Sequence, residues 1–136
     1  VVEDHSAILA SNTSSIPIMK LGMATGRPEQ VIGIHFFNPA PAMSLVEIIR
    51  ALTTSDETIA EVTEFATACG KSPVEVKDRA GFIVNALLFP YLNNAVRMLE
   101  NGTASADDID TACKTLEEKG GAHPSERKKM KASPGY

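Results

Sequence analysis

Positive charge, cysteine and long apolar stretches are all in short supply in this chain. Lys and Arg total 13 against 17 Asp and Glu, a formal net charge of −4. No basic stripe is interleaved with aromatic side chains, so general affinity for nucleic acid or an anionic membrane is not expected. The short run Arg127-Lys128-Lys129-Met130-Lys131 is read as solvated. Cys69 and Cys113 lack metal-ligand spacing and fit a reducing compartment better than a disulfide framework; both are read as helix-packing residues. No apolar run approaches the ~18–20 residues of a membrane helix and nothing resembles a signal peptide, so a soluble, cytoplasmic protein is expected. What is present is 136 residues, 43% hydrophobic and 22% charged, enough for one modest core. The opening Val1-Val2-Glu3-Asp4-His5 has no initiator methionine, which suggests a fragment.

Taken in order, Ala7-Ile8-Leu9-Ala10 reads as a buried strand and Ser11-Asn12-Thr13-Ser14-Ser15 as a polar loop. Residues 16–23 suit a short helix or turn after Pro17, and Gly26-Arg27-Pro28 breaks the chain. Val31 to Phe37 is continuously apolar but for one histidine, the pattern of a strand covered on both faces, as in a parallel sheet. Leu45-Val46-Glu47-Ile48-Ile49 predicts another strand. Thr54-Ser55-Asp56-Glu57 has the form of a capping box, with Ile59, Val62, Phe65, Ala66 and Cys69 as the buried stripe of a helix that Gly70 stops. Residues 73–77 alternate like an exposed or edge strand. A long helix is predicted from Phe82 to Glu100, interrupted by Pro90, with Leu87, Leu88, Tyr91, Leu92, Ala95, Val96 and Leu99 on a wide apolar face. Ser105-Ala106-Asp107-Asp108 signals a second helix start. The order is α/β in character, followed by helices.

Two polar side chains stand out because their surroundings are apolar. A buried ion pair that loses one partner costs about 3–5 kcal/mol, so His35 and Glu47, each set in an apolar run, are expected to meet if their strands are neighbours. A carboxylate that fixes an imidazole in one tautomer and stabilises its protonated form makes a general base. Taken singly, His35 reads as a satisfied core histidine, Glu47 as a charge at a sheet edge, Ser14 as a turn residue and Asn85 as a polar residue on a helix face.

Ala10-Ser11-Asn12-Thr13-Ser14-Ser15, Gly33 to Pro39, Leu45 to Ile49 and Asp78-Arg79-Ala80-Gly81-Phe82-Ile83-Val84-Asn85, in this order and spacing, resemble the L-3-hydroxyacyl-CoA dehydrogenase family, including its 3-hydroxybutyryl-CoA dehydrogenases. The resemblance runs from about Ile8 to Lys114. It implies the C-terminal half of a Rossmann-like NAD-binding domain over residues 1–78, the first helices of an all-α domain over 79–114, and an acyl-CoA substrate. It also implies roles: His35 as acid/base, Glu47 as the carboxylate that orients it, Ser14 and Asn85 on the substrate oxygens, and Asn12, Ser14 and Asn38 beside the cofactor. The family's G-x-G-x-x-G turn has no counterpart here, which leaves NAD and NADP both open. After Lys114 the chain enters a polar stretch, 115–136, of net charge +2 against −6 before it. That stretch is expected to be a mobile, divergent tail, as in a truncated gene. The expected protein is therefore a dehydrogenase fragment, inactive alone and missing most of the family's dimer surface. The other readings are a related 3-hydroxy acid dehydrogenase and a non-catalytic module that pairs with a separate N-terminal half.

Overall fold

The computed structural model describes residue 2 and residues 4–119. Its centre is a four-stranded sheet in the order β1 (Leu9–Ser11), β2 (Val31–Phe36), β3 (Leu45–Arg50), β4 (Ser72–Lys77). Pairing is parallel for β1/β2 and β3/β4 but antiparallel for β2/β3, a departure from the parallel sheet that the apolar run of β2 suggested. The reason is chain length, since the connection over residues 37–44 is too short for the dozen or more residues that a parallel crossover takes. β1 reaches β2 through α1 (Ile18–Met23) and a 3₁₀ turn (Pro28–Gln30), and β3 reaches β4 through α2 (Asp56–Ala68).

Both faces of β2 and β3 are covered, which is why these strands read as continuous apolar runs rather than alternating ones. Ile32, Ile34, Val46 and Ile48 pack with Ile59, Val62 and Ala66 of α2. Val31 and Ile49 pack on the other face with Ile18 of α1, Ala51 and Phe82. A Cβ at Gly33 would lie 2.8 Å from Ile49 Cβ and 2.9 Å from Ile18 Cδ1, so the absence of a side chain there lets α1 close onto the sheet. The α1 N-terminus is fixed from far along the chain, where Met19 N–H donates to Asp78 Oδ2 at 2.8 Å.

The α2 cap sits one residue later than the capping-box pattern places it. Ser55 is the N-cap and accepts from Thr58 N–H at 3.1 Å, while the buried Thr54 hydroxyl donates to the Val31 carbonyl at 2.7 Å. Phe65 and Cys69, expected on the buried stripe, are exposed, and Thr58 is buried in their stead. Gly70, at φ 73°, closes the helix in the left-handed conformation that glycine adopts without penalty. Arg50 joins β4 to α2, donating to Glu75 Oε1 at 2.5 Å and Asp56 Oδ1 at 2.6 Å; those carboxylates hold the guanidinium pKa above its usual value.

The chain divides into two compact units, Val1–Phe89 and Pro90 onward. The first turns of α3 (Val84–Glu100) thus belong with the sheet, and Pro90 is contained within that helix. In the second unit α4 (Ala106–Lys119) begins at Ser105, whose hydroxyl accepts from Asp108 N–H at 3.2 Å. Residues 115–119, expected to belong to the tail, continue α4 instead; the remainder of that expected tail, 120–136, lies outside the described residues. Among the described residues no helix is long and apolar enough to cross a membrane.

Candidate active site

Antiparallel pairing sets His35 of β2 directly opposite Glu47 of β3. Strand alternation turns both side chains to the face shared by Val31, Gly33 and Ile49, away from α2. His35 Nδ1 lies 2.8 Å from Glu47 Oε2, with 5% of the histidine and 1% of the glutamate exposed. The other carboxylate oxygen, Oε1, accepts from the backbone N–H of Ile83 and of Val84, each at 2.9 Å. These are amides at the start of α3, where a helix has unpaired donors and a partial positive charge. Glu47 thus reaches across from the sheet to cap α3, and both its oxygens are committed.

That commitment fixes the histidine. A carboxylate has no proton to give, so His35 Nδ1 carries the hydrogen and Nε2 presents its lone pair. Nε2 faces Ser14 Oγ at 2.9 Å, and Ser14 lies exposed in the loop that follows β1. The ring is held by edge contacts with Phe37, centroids 4.8 Å apart, and with Phe82 at 5.3 Å. Phe82 adopts φ 47°, a left-handed conformation uncommon for a residue with a side chain, immediately after Gly81 at φ 77°. This double turn brings the Ile83 and Val84 amides to Glu47 while burying the Phe82 ring beside His35.

The remaining site residues are placed as follows. Asn12 Oδ1 accepts from Phe36 N–H at 2.9 Å, tying the β1 loop to the end of β2 and leaving its amide NH₂ to donate. Asn38 is exposed just beyond β2, and Asn85 is half-buried at the second position of α3; among the described residues neither side chain makes a hydrogen bond. Phe82 and the Ile83 and Val84 amides were missed as parts of the site by sequence reading; Gly81 before an aromatic residue was the available signal. Among the described residues no group of His, Cys, Asp and Glu has the arrangement of a metal site.

Asn12, Ser14 and Asn38 follow the carboxyl ends of the parallel strands β1 and β2, the place where open α/β sheets bind ligands. Their neutral amides and hydroxyl fit the carboxamide-bearing end of a nicotinamide cofactor. A G-x-G-x-x-G turn for the pyrophosphate is not among these 136 residues.

Comparison with known proteins identifies the family. Residues 1–79 match the family model of the 3-hydroxyacyl-CoA dehydrogenase NAD binding domain, and residues 81–122 match that of its C-terminal domain. A 3-hydroxybutyryl-CoA dehydrogenase of Mycobacterium tuberculosis is 55% identical over 113 residues, which are 82% of this chain and 40% of that protein. The human mitochondrial hydroxyacyl-coenzyme A dehydrogenase is 52% identical over 107 residues, 79% of this chain and 34% of that one. The crystal structure of (S)-3-hydroxybutyryl-CoA dehydrogenase from Ralstonia eutropha superimposes with a TM-score of 0.76 at 48% identity, covering 86% of this chain and 40% of that one. The chain thus spans 34–40% of the length of these curated relatives. With both domain models matched in order, the chain belongs to the 3-hydroxyacyl-CoA dehydrogenase family.

Proposed function

We propose that this chain carries the acid/base half of an NAD-linked oxidoreductase that interconverts 3-hydroxyacyl-CoA, such as 3-hydroxybutyryl-CoA, with 3-ketoacyl-CoA. The observation that supports it most is the relay Ser14–His35–Glu47, with Glu47 anchored on the first amides of α3. His35 Nε2 takes the proton of the 3-hydroxyl as that carbon is oxidised, and returns it in reduction. Glu47 stabilises the imidazolium formed in that step. Ser14 hydrogen-bonds the substrate oxygen, and the Asn85 amide donates to the acyl carbonyl. Asn12, Ser14 and Asn38 line the cofactor end of the site. NAD, when bound, accepts the hydride.

For the whole protein the same reading includes a homodimer, most of whose surface this chain lacks, and a cytoplasmic setting, which suits free cysteines at 69 and 113. The test is NADH oxidation by acetoacetyl-CoA, with the chain alone and with a polypeptide supplying a Gly-rich βαβ unit. Turnover is expected only in the mixture, and His35→Ala should lower it by about 10²–10⁴-fold, the worth of a positioned base. Turnover that His35→Ala leaves intact overturns the assignment. Complex formation without turnover favours the second reading, a non-catalytic module, which the outer edge of β1, unpaired among the described residues, also suits.

A further inference from the structure

We propose that the Ser14–His35–Glu47 relay also performs acyl transfer, with Ser14 as a nucleophile toward activated acyl esters and, resting on the function proposed above, toward the thioester of an acyl-CoA. The connectivity is that of a nucleophile, a base and an orienting carboxylate. Ser14 Oγ donates to His35 Nε2 at 2.9 Å, and His35 Nδ1 donates to Glu47 Oε2 at 2.8 Å. Such constellations are recognised by geometry and roles on unrelated folds, not by sequence position.

Three features make the arrangement competent rather than merely connected. The base is buried while the nucleophile is exposed, so the relay points outward to where an acyl group arrives. Glu47 cannot rotate away, because two backbone amides hold its second oxygen. The Asn12 NH₂, on the same loop and held by the Phe36 N–H on its oxygen, is a neutral donor for a developing oxyanion. The serines on either side lack the relay. Ser11 Oγ accepts from Thr13 N–H at 3.3 Å and Ser15 engages the Thr13 hydroxyl through its backbone, and neither has a hydrogen bond to a histidine among the described residues.

The chemistry balances without any cofactor. Ser14 Oγ adds to the acyl carbonyl and gives its proton to His35 Nε2. The carbon–sulfur or carbon–oxygen bond of the leaving group breaks, and the departing thiolate or alkoxide takes that proton. Water, deprotonated by His35, then cleaves acyl-Ser14 to the free acid and restores the hydroxyl.

The experiment is incubation of the full chain with p-nitrophenyl acetate and, separately, with a fluorophosphonate, followed by peptide mass mapping. The expected result is a stoichiometric burst of p-nitrophenol and one adduct, on Ser14. Ser14→Ala should abolish both, whereas Ser15→Ala should leave both unchanged. His35→Gln should slow acylation by about 10²–10⁴-fold. Adducts spread over Ser11, Ser14 and Ser15, or a burst that survives Ser14→Ala, overturn the proposal. Ser14 is exposed, so its alanine variant tests the chemistry without disturbing the core. Thiol release from acetyl-CoA, lost in Ser14→Ala, supports the thioester assignment, and its absence overturns that assignment. None of these measurements needs a nicotinamide, so failure of the dehydrogenase reading shows separately, in the acetoacetyl-CoA assay.

Discussion

The sheet and the α3–α4 helices treat their apolar side chains in opposite ways. In the sheet, Ile32, Val46, Ile48 and Ile49 are fully buried, and even the charged Glu47 is enclosed. In α3 no residue is buried, and Leu87 is 71% exposed, with Phe89, Leu92, Val96 and Leu99 about as open as one another. Among the described residues of the second unit, Ile109 of α4 is the buried exception, beside a cavity of about 150 Å³ also lined by Tyr91, Met98, Cys113 and Leu116. The contrast teaches that an amphipathic pattern specifies a face but not its cover. β2 and β3 find their cover in α1, α2 and Phe82; α3 has the pattern and only part of the cover.

Substitutions sharpen this contrast. Glu47→Ala strands the buried His35 and two helix-start amides together, and should lower unfolding free energy in urea by about 3–5 kcal/mol. A loss under about 1 kcal/mol would mean that water reaches the pair, and that the sheet is no better covered than α3. Gly33→Ala forces a Cβ against Ile18 and Ile49, and should cost about 1–3 kcal/mol by the same measurement. At the other extreme, Leu87→Gln should change stability by no more than about 0.5 kcal/mol. A loss comparable to that at Gly33 would break the comparison by showing that Leu87 is covered in solution.

Much of the fold was legible because continuous or periodic apolar runs report burial directly. Each of β2, β3, α2 and β4 lies where its pattern places it, and Asn101-Gly102 ends α3, with Gly102 at φ 64°. Other features depend on contacts that periodicity does not encode. Thr54 and Ser55 are both capping residues, and the Val31 carbonyl and Ala51 N–H, which engage the Thr54 hydroxyl, leave Ser55 as the cap. Residues 115–119 lack an apolar stripe, yet Leu116, Glu117, Glu118 and Lys119 are strong helix formers, and propensity extends α4 where hydrophobicity alone would end it. At the site, His35 and Glu47 were conspicuous as polar side chains in apolar runs. The left-handed Phe82 and the amides behind it were not, because a backbone donor leaves no mark in a sequence.

The cross-strand placement of His35 opposite Glu47 has a consequence for how the chain finds its fold. Side chains along a strand alternate faces, so sliding β2 by one residue against β3 would turn His35 toward α2 and carry Ile34 to the relay's side. A slipped sheet would leave the buried Glu47 Oε2 without its histidine and bury an unpartnered imidazole among the apolar side chains of the other face. The polar pair therefore proofreads strand alignment: a molecule with a working proton relay is, by that fact, one whose strands are in step.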